Sequence, residues 1–129
     1  ITVNTLDYLK KGGRITPAAA LLGGMLKIKP ILQIQGEKLD SFAKTRTMAR
    51  GTKIMKEAIA KDIKERFDDD YHNVHICVAY TYDEAPALEL KKELEELYPG
   101  ENIICDRLSL SVSCHIGPHS LAIAICKKI

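Results

Sequence analysis

The stretch His75–Cys105, HICVAYTYDEAPALELKKELEELYPGENIIC, decides the fold. His75 to Tyr80 is an almost unbroken apolar run, as expected of a strand buried within a sheet. The period then changes. Over residues 83–97, Ala87, Leu90, Leu94 and Leu97 recur at helical spacing, which predicts a helix with one apolar stripe. Pro99-Gly100 breaks it, and Asn102 to Cys105 reads as a second, short strand. Strand, helix and strand within about thirty residues make a βαβ unit, whose strands are parallel and whose crossover is right-handed.

Upstream, residues 49–67 predict another helix, with Ile54, Ala58, Ile59, Ile63 and Phe67 on one stripe and Asp68-Asp69-Asp70 at its end. Residues 27–35 (KIKPILQIQ) read as a strand. Pro30 cannot donate to a ladder, so this strand is expected at an edge or with a bulge. After Gly36, Lys38 to Phe42 pairs back as a hairpin. Residues 5–13 form a short helix, with Thr5 as N-cap and Gly12-Gly13 as the stop. Thr16-Pro17 opens a second helix of small residues running to Leu26. Downstream, Leu108, Leu110 and Val112 alternate with Ser109, Ser111 and Ser113, and Leu121, Ile123 and Ile125 with Ala122, Ala124 and Cys126. Period two predicts two strands, each with a bulky and a small face, joined by the loop 114–120. The expected class is α/β: one domain over residues 1–129, a mixed sheet packed with helices.

Composition agrees with a folded domain: 129 residues, 46% hydrophobic and 28% charged. No apolar run reaches the ~18 residues of a membrane span. A net charge of +2 is too mild to argue for nucleic acid. The charge is uneven, with nine basic residues between Lys38 and Arg66 and seven acidic ones between Asp83 and Glu101. Two solvated helix faces explain this, as does a basic docking face. Cys77, Cys105, Cys114 and Cys126 form no CxxC pair and read as buried free thiols of a reducing, cytoplasmic compartment. His72 and His75 straddle a strand start and do not suit a metal. Because the chain begins at Ile1 rather than Met, it is expected to start inside a longer gene product or after a removed segment.

His115 is the most informative polar residue. It is expected at a sheet end, on the loop between a strand and Gly117-Pro118, where it could meet a carboxylate or be satisfied by a local carbonyl. A Ser113–His115–Asp106 hydrolase is a weaker reading, because no nucleophile elbow is present. Gly12-Gly13 and Gly23-Gly24 lack the pattern of phosphate loops. The small faces at Ser109/Ser111/Ser113, Ala122/Ala124 and residues 17–26 suit either close packing or a slot for a long apolar ligand.

Three pieces together resemble one family. TLDYLKKGGRI (residues 5–15), LKIKPIL (26–32) with Gly36 and KTRT (44–47), and CHIGP (114–118) look like the second half of DegV-family proteins, in order and across almost the whole chain. The resemblance implies the C-terminal domain of a two-domain fold, with the N-terminal domain absent from this chain. It implies a protein that binds a long-chain fatty acid between its domains, without catalytic residues or a cofactor of its own. It also implies presentation of the carboxylate to a separate, ATP-using fatty acid kinase subunit, in the cytoplasm and with transient membrane contact. The family's carboxylate-binding histidine falls on His115, and Gly117, Pro118 and His119 form the ligand-site loop. Arg14 and Arg46 fall on positions that dock the kinase subunit. The family usually has glycine where this chain has His119. An acyl chain of about fifteen methylenes gains roughly 12 kcal/mol gross on burial. One wall of the cleft captures only part of this, so the fragment is expected to bind lipid weakly and to self-associate. An assembly domain with no lipid is the other reading.

Overall fold

The computed structural model describes residues 1–13, 28–34 and 39–129. The βαβ unit is present. Strand β3 (Val74–Tyr80) leads through a helix (Ala85–Leu97) to β4 (Ile104–Arg107), parallel to β3 with Cys77 opposite Ile104. On its other side β3 pairs antiparallel with β5 (Leu121–Lys127), Val78 opposite Ile123. The order β4-β3-β5 is a mixed sheet. Upstream, β1 (Lys29–Ile34) and β2 (Leu39–Thr45) form an antiparallel hairpin with a bulge between Ile31 and Leu32. The helices, in chain order, are α1 (Asp7–Gly12), α2 (Met48–Arg66), α3 (Ala85–Leu97) and α4 (Leu110–Ile116).

The bulge expected from Pro30 is there, but β1 is not an edge. Thr2 bridges Ile31 on one side and Leu121 on the other, through Val3 N–H to Pro30 C=O (3.3 Å) and Thr2 N–H to Leu121 C=O (2.8 Å). The segment Ile1–Val3 thus joins the hairpin to the three-stranded sheet. Thr2 is fully buried, and its hydroxyl faces Met48 Sδ at 3.8 Å. Helix α2 comes so near that a Cβ on Gly51 would lie 2.7 Å from Thr2 Oγ1.

Period two explains which sheet face is dry. Val74, Ile76, Val78 and Tyr80 of β3 share a core with Leu121, Ile103, Met55, Ile59 and Ile63 of α2, and Ala87, Leu90 and Leu94 of α3. Each large side chain here contributes about 1.5–3 kcal/mol by leaving water. Leu97, expected on the stripe, is exposed; the chain leaves the helix there and Tyr98 is buried instead. The opposite face carries His75, Cys77 and Ala79 beside Ala122, Ala124 and Cys126, all half-buried or exposed. A second, smaller core gathers Val3, Leu6, Leu9, Leu32 and Ile116 where α1 meets α4.

Three expectations are corrected. Residues 108–113 are not a strand: Leu110–Ile116 is helix α4, capped by Ser109, whose hydroxyl accepts from Val112 N–H. The sheet offers no partner for a strand there, because the parallel ladder runs out at Tyr80 opposite Arg107 and closes with Leu108 N–H to Tyr80 C=O (2.9 Å). Thr5 does not cap α1 as N-cap; Leu6 holds that position, and the Thr5 hydroxyl accepts from Asp7 N–H at 3.3 Å. The cysteines are free but not buried, with Cys114 and Cys126 exposed. The helix expected at 17–26 lies outside the described residues.

At the far end of the sheet, Glu101 gathers two cations. Its carboxylate accepts from Lys128 Nζ (2.6 Å) and pairs with His72 Nδ1 (2.8 Å), which holds its carboxyl below the usual range. His72 of the HxxH pair is thereby engaged. Among the described residues no cluster of acids, histidines and cysteines could hold a metal, and no helix is long and apolar enough to cross a membrane.

Candidate functional site

Four of the predicted site residues, His115, Gly117, Pro118 and His119, sit at or beside the turn between α4 and β5. Helix α4 ends at Gly117, whose φ of 79° belongs to the left-handed region that favours glycine. Two buried hydroxyl residues clamp the turn that follows. Thr81, directly after β3, donates from Oγ1 to Gly117 C=O (2.6 Å) and accepts from Ser120 N–H (3.1 Å). Ser120 Oγ turns back toward the carbonyls of Ile116 (3.3 Å) and Gly117 (3.4 Å), while Thr81 N–H donates to Ser120 C=O (3.1 Å). Both side chains are about 1% exposed, so these bonds form away from competing water.

His115 lies in the last turn of α4, not on a loop after a strand. Its half-buried ring packs against the glycine end of α1: a Cβ on Gly12 would fall 2.6 Å from His115 Nδ1. One turn away, a Cβ on Gly117 would fall 2.6 Å from the Tyr8 ring. DYLKKGG and CHIGP, far apart in sequence, are thus two sides of one contact. Gly12 and Gly117 leave room for His115 and Tyr8, and Gly13 (φ 65°) turns the chain away at once. The imidazole makes no hydrogen bond or ion pair among the described residues.

Ser113 does not face His115, since residues two apart on a helix point in different directions. Its hydroxyl donates back to Ser109 C=O (3.0 Å) and toward Leu108 C=O (3.4 Å). Among the described residues no hydrogen-bonded Ser–His side-chain pair is assembled. Nor are the sheet thiols activated: burial pushes Cys77 up, with Cys126 adding to it, and burial pushes Cys105 up.

His119 occupies a different side of the turn. Its φ of 57° explains why glycine suits this position. Its ring meets that of Tyr82 edge-on, centroids 4.8 Å apart, and Tyr82 itself has φ 70°. His119 also lines an open pocket of about 220 Å³ with Met48, Asp83, Pro86, Ser120 and Leu121, which His115 does not line. Arg46 is exposed in the bend between β2 and α2, two residues before Met48. His119 thus lines one pocket, His115 and Gly12 form another locus, and Pro118 sits half-buried between the two histidines in the chain. Arg14 lies outside the described residues.

Thr81, Tyr8 and Met48 stand in no motif that marks them in the sequence as partners of this turn. A threonine closing an apolar strand and a tyrosine inside the DYLKKGG motif were the only signals, and neither reveals a partner more than thirty residues away.

Comparison with known proteins agrees with this arrangement. The family model described as "Uncharacterised protein, DegV family" matches residues 1–128. A DegV domain-containing protein of Clostridium acetobutylicum is 37% identical over 94% of this chain and 40% of its own length. Among solved structures, DegV of Bacillus subtilis, described as a fatty acid binding protein, is 26% identical with a TM-score of 0.78, over 98% of this chain and 43% of that one. A Thermus thermophilus DegV family protein, described by its fatty acid binding, is 25% identical with a TM-score of 0.81, over 98% and 44%. The chain spans about two fifths of the length of the curated relatives it matches. With its motifs joined in one contact and the family model running from its first residue almost to its last, this chain belongs to the DegV family.

Proposed function

We propose that this chain is the C-terminal half of a two-domain fatty-acid-binding protein, in which His115 holds the carboxylate of a long-chain fatty acid. The observation that carries the reading is the seat of His115: a half-buried imidazole, fixed between Gly12 and the clamped turn and unpaired among the described residues. A fixed, unpaired imidazole suits an incoming carboxylate, because little side-chain freedom is lost on binding. The fatty acid binding of the B. subtilis and T. thermophilus relatives supports the same ligand.

On this reading an N-terminal domain covers the ligand, and the whole protein presents the carboxylate to a separate ATP-using kinase subunit in the cytoplasm. That subunit docks at Arg14 and Arg46 and performs the phosphoryl transfer, so this protein contributes binding and no cofactor. The test is His115→Ala in the full-length protein. Losing a charge-assisted hydrogen bond of about 1.5–3 kcal/mol should weaken fatty acid binding roughly tenfold to a hundredfold. Native mass spectrometry reads the bound lipid, and acyl-phosphate formation reads the presentation. Unchanged values of both refute the role. The isolated chain should retain little lipid and self-associate in light scattering.

A further inference from the structure

We propose that the gap between β1 and β5 receives the residues directly upstream of Ile1 in the full-length protein, as a strand that completes one continuous sheet. The proposal rests on the reading that an N-terminal domain precedes this chain, and adds where the connection to it runs.

The first observation is the direction of the backbone groups. Alternate residues of a strand turn their N–H and C=O to opposite edges. Even-numbered residues of β5 face β3: the ladder is flanked by Thr81 N–H to Ser120 C=O (3.1 Å) and Lys128 N–H to Asn73 C=O (2.7 Å). Odd-numbered residues face the other edge. There Leu121 exchanges two bonds with Thr2, at 2.8 and 3.0 Å, and the pairing stops. Ile123 and Ile125 turn the same way as Leu121 and meet no strand on that edge among the described residues. The β1 side of the gap repeats this. Ile1 and Leu32 exchange two bonds, at 2.7 and 2.8 Å. Ile34, two residues further on, turns toward the same edge and meets no strand there among the described residues.

The second observation is that the two edges agree in register. Thr2 lies opposite Ile31 and Leu121, antiparallel to both. Carrying both ladders upstream sets the first residue before Ile1 opposite Ile123, the second opposite Ile34 and the third opposite Ile125. Each turns its own backbone groups to the edge that lacks a partner, so one segment satisfies both sides. The core thins along the same line. Ile76 and Val78 of β3 are 2% and 1% exposed, whereas Ile125 and Ile123, opposite them, are only half-buried, and Ile34 is 68% exposed. Because the Thr2 side chain turns to Met48 of α2, the first and third upstream residues fall on that face, beside Ile123 and Ile125. The second falls on the face of Ile34. The segment should therefore read as an almost unbroken apolar run, as a strand buried on both faces does.

The chain's own upstream residues fit better than a strand of a second copy. The Ile1 nitrogen already donates to Leu32 C=O at 2.8 Å, so whatever is joined to it starts inside the gap. Covalent attachment gives those residues an effective concentration that a separate strand must overcome. After Val3 the chain passes into α1, whose Gly12 seats His115. The connection between the two domains is then a sheet strand that leads to the proposed carboxylate site, and not a free linker.

The test is NMR of the full-length protein labelled with nitrogen-15 and carbon-13. The amides of Ile34, Ile123 and Ile125 should exchange with solvent about a thousandfold more slowly than unstructured amides, in the range of the β3 amides. Couplings transmitted through hydrogen bonds should join the Ile123 nitrogen to the carbonyl carbon of the first residue upstream of Ile1, and the Ile34 nitrogen to that of the second. Fast exchange at these amides overturns the proposal. So does slow exchange with couplings to any other segment or, in a mixture of separately labelled copies, to a second copy. Native mass spectrometry of the same sample reads the bound fatty acid. Lipid bound with fast amides overturns the strand and leaves the fatty acid reading standing. Pairing as described with no lipid bound supports the strand and removes that reading. Fast amides and no lipid overturn both.

Discussion

Replacing Thr81 by Val tests whether the turn after α4 is held by its buried hydroxyls. Valine keeps the β-branched shape, so little cavity forms. What changes is hydrogen bonding. Ser120 N–H loses its acceptor at 3.1 Å, and Gly117 C=O loses its 2.6 Å donor, keeping only the long approach of Ser120 Oγ at 3.4 Å. Leaving a buried group unsatisfied costs about 1–3 kcal/mol, so the two together cost about 2–4 kcal/mol. With a urea dependence of roughly 2 kcal/mol/M, the middle of the usual range of about 1–3, the unfolding midpoint should fall by about 1–2 M. Thr81→Ser keeps the hydroxyl and should recover most of the loss. Because the turn leads directly from His115, fatty acid retention by the full-length protein should fall with Thr81→Val and return with Thr81→Ser. A Thr81→Val protein within about 0.5 kcal/mol of the parent refutes the clamp, since that is the scatter of ordinary surface changes.

Other perturbations follow from close approaches and charge. Gly51→Ala drives a methyl to 2.7 Å from Thr2 Oγ1. Overpacking of about 1–3 kcal/mol should outweigh the helix-propensity gain of about 1 kcal/mol, giving a net loss in denaturant titrations. Gly12→Ala places a methyl 2.6 Å from His115 Nδ1, so it should shift the His115 ring resonances in NMR and weaken lipid retention, with modest loss of stability. Glu101 has a folded-state pKa below its ordinary 4.5, from the Lys128 hydrogen bond first and His72 second. Its contribution is therefore present above pH 4.5 and lost as pH falls through the folded value. Glu101→Gln should flatten the acid limb of the stability curve and lower stability near neutrality, read by thermal melts from pH 7 to pH 3.

The sequence disclosed the fold where a period ran long enough to bury one face. The run 74–80, the two long helices and the alternation of β5 appear as expected, although the buried face of α2 centres on Met55, Ile59 and Ile63 rather than on Ile54 and Ala58, and Leu97 falls off the stripe of α3. Residues 108–113 failed because alternating serine is ambiguous. The same serines that read as one strand face supply a helix cap and bonds back to carbonyls, and the decision lay with β3, which ends too soon to pair them. The site was half legible. His115, the Gly-Pro turn and the unusual His119 could be picked out by resemblance. Their seats could not, because Gly12, Tyr8 and Thr81 acquire their roles only through contacts distant in sequence. Two histidines that look like neighbours on one loop also serve different places, since four residues and a left-handed turn separate a ring against α1 from a ring over the pocket.

Thr2 has a consequence for the order of assembly. It bridges β1 and β5 at once, so a residue at the start of this sequence finds half its pairing near the end. Local units such as the β1–β2 hairpin and the βαβ crossover can form early, but they cannot be stitched together until β5 exists. Contacts of such long range close slowly, because most of the chain must be ordered before they repay their entropy. During synthesis the edge of Ile1–Val3 that meets Leu121 would wait unpaired until β5 clears the ribosome. Mutations that weaken the Thr2 junction should therefore lower yield through aggregation of that waiting state before they measurably change the finished protein.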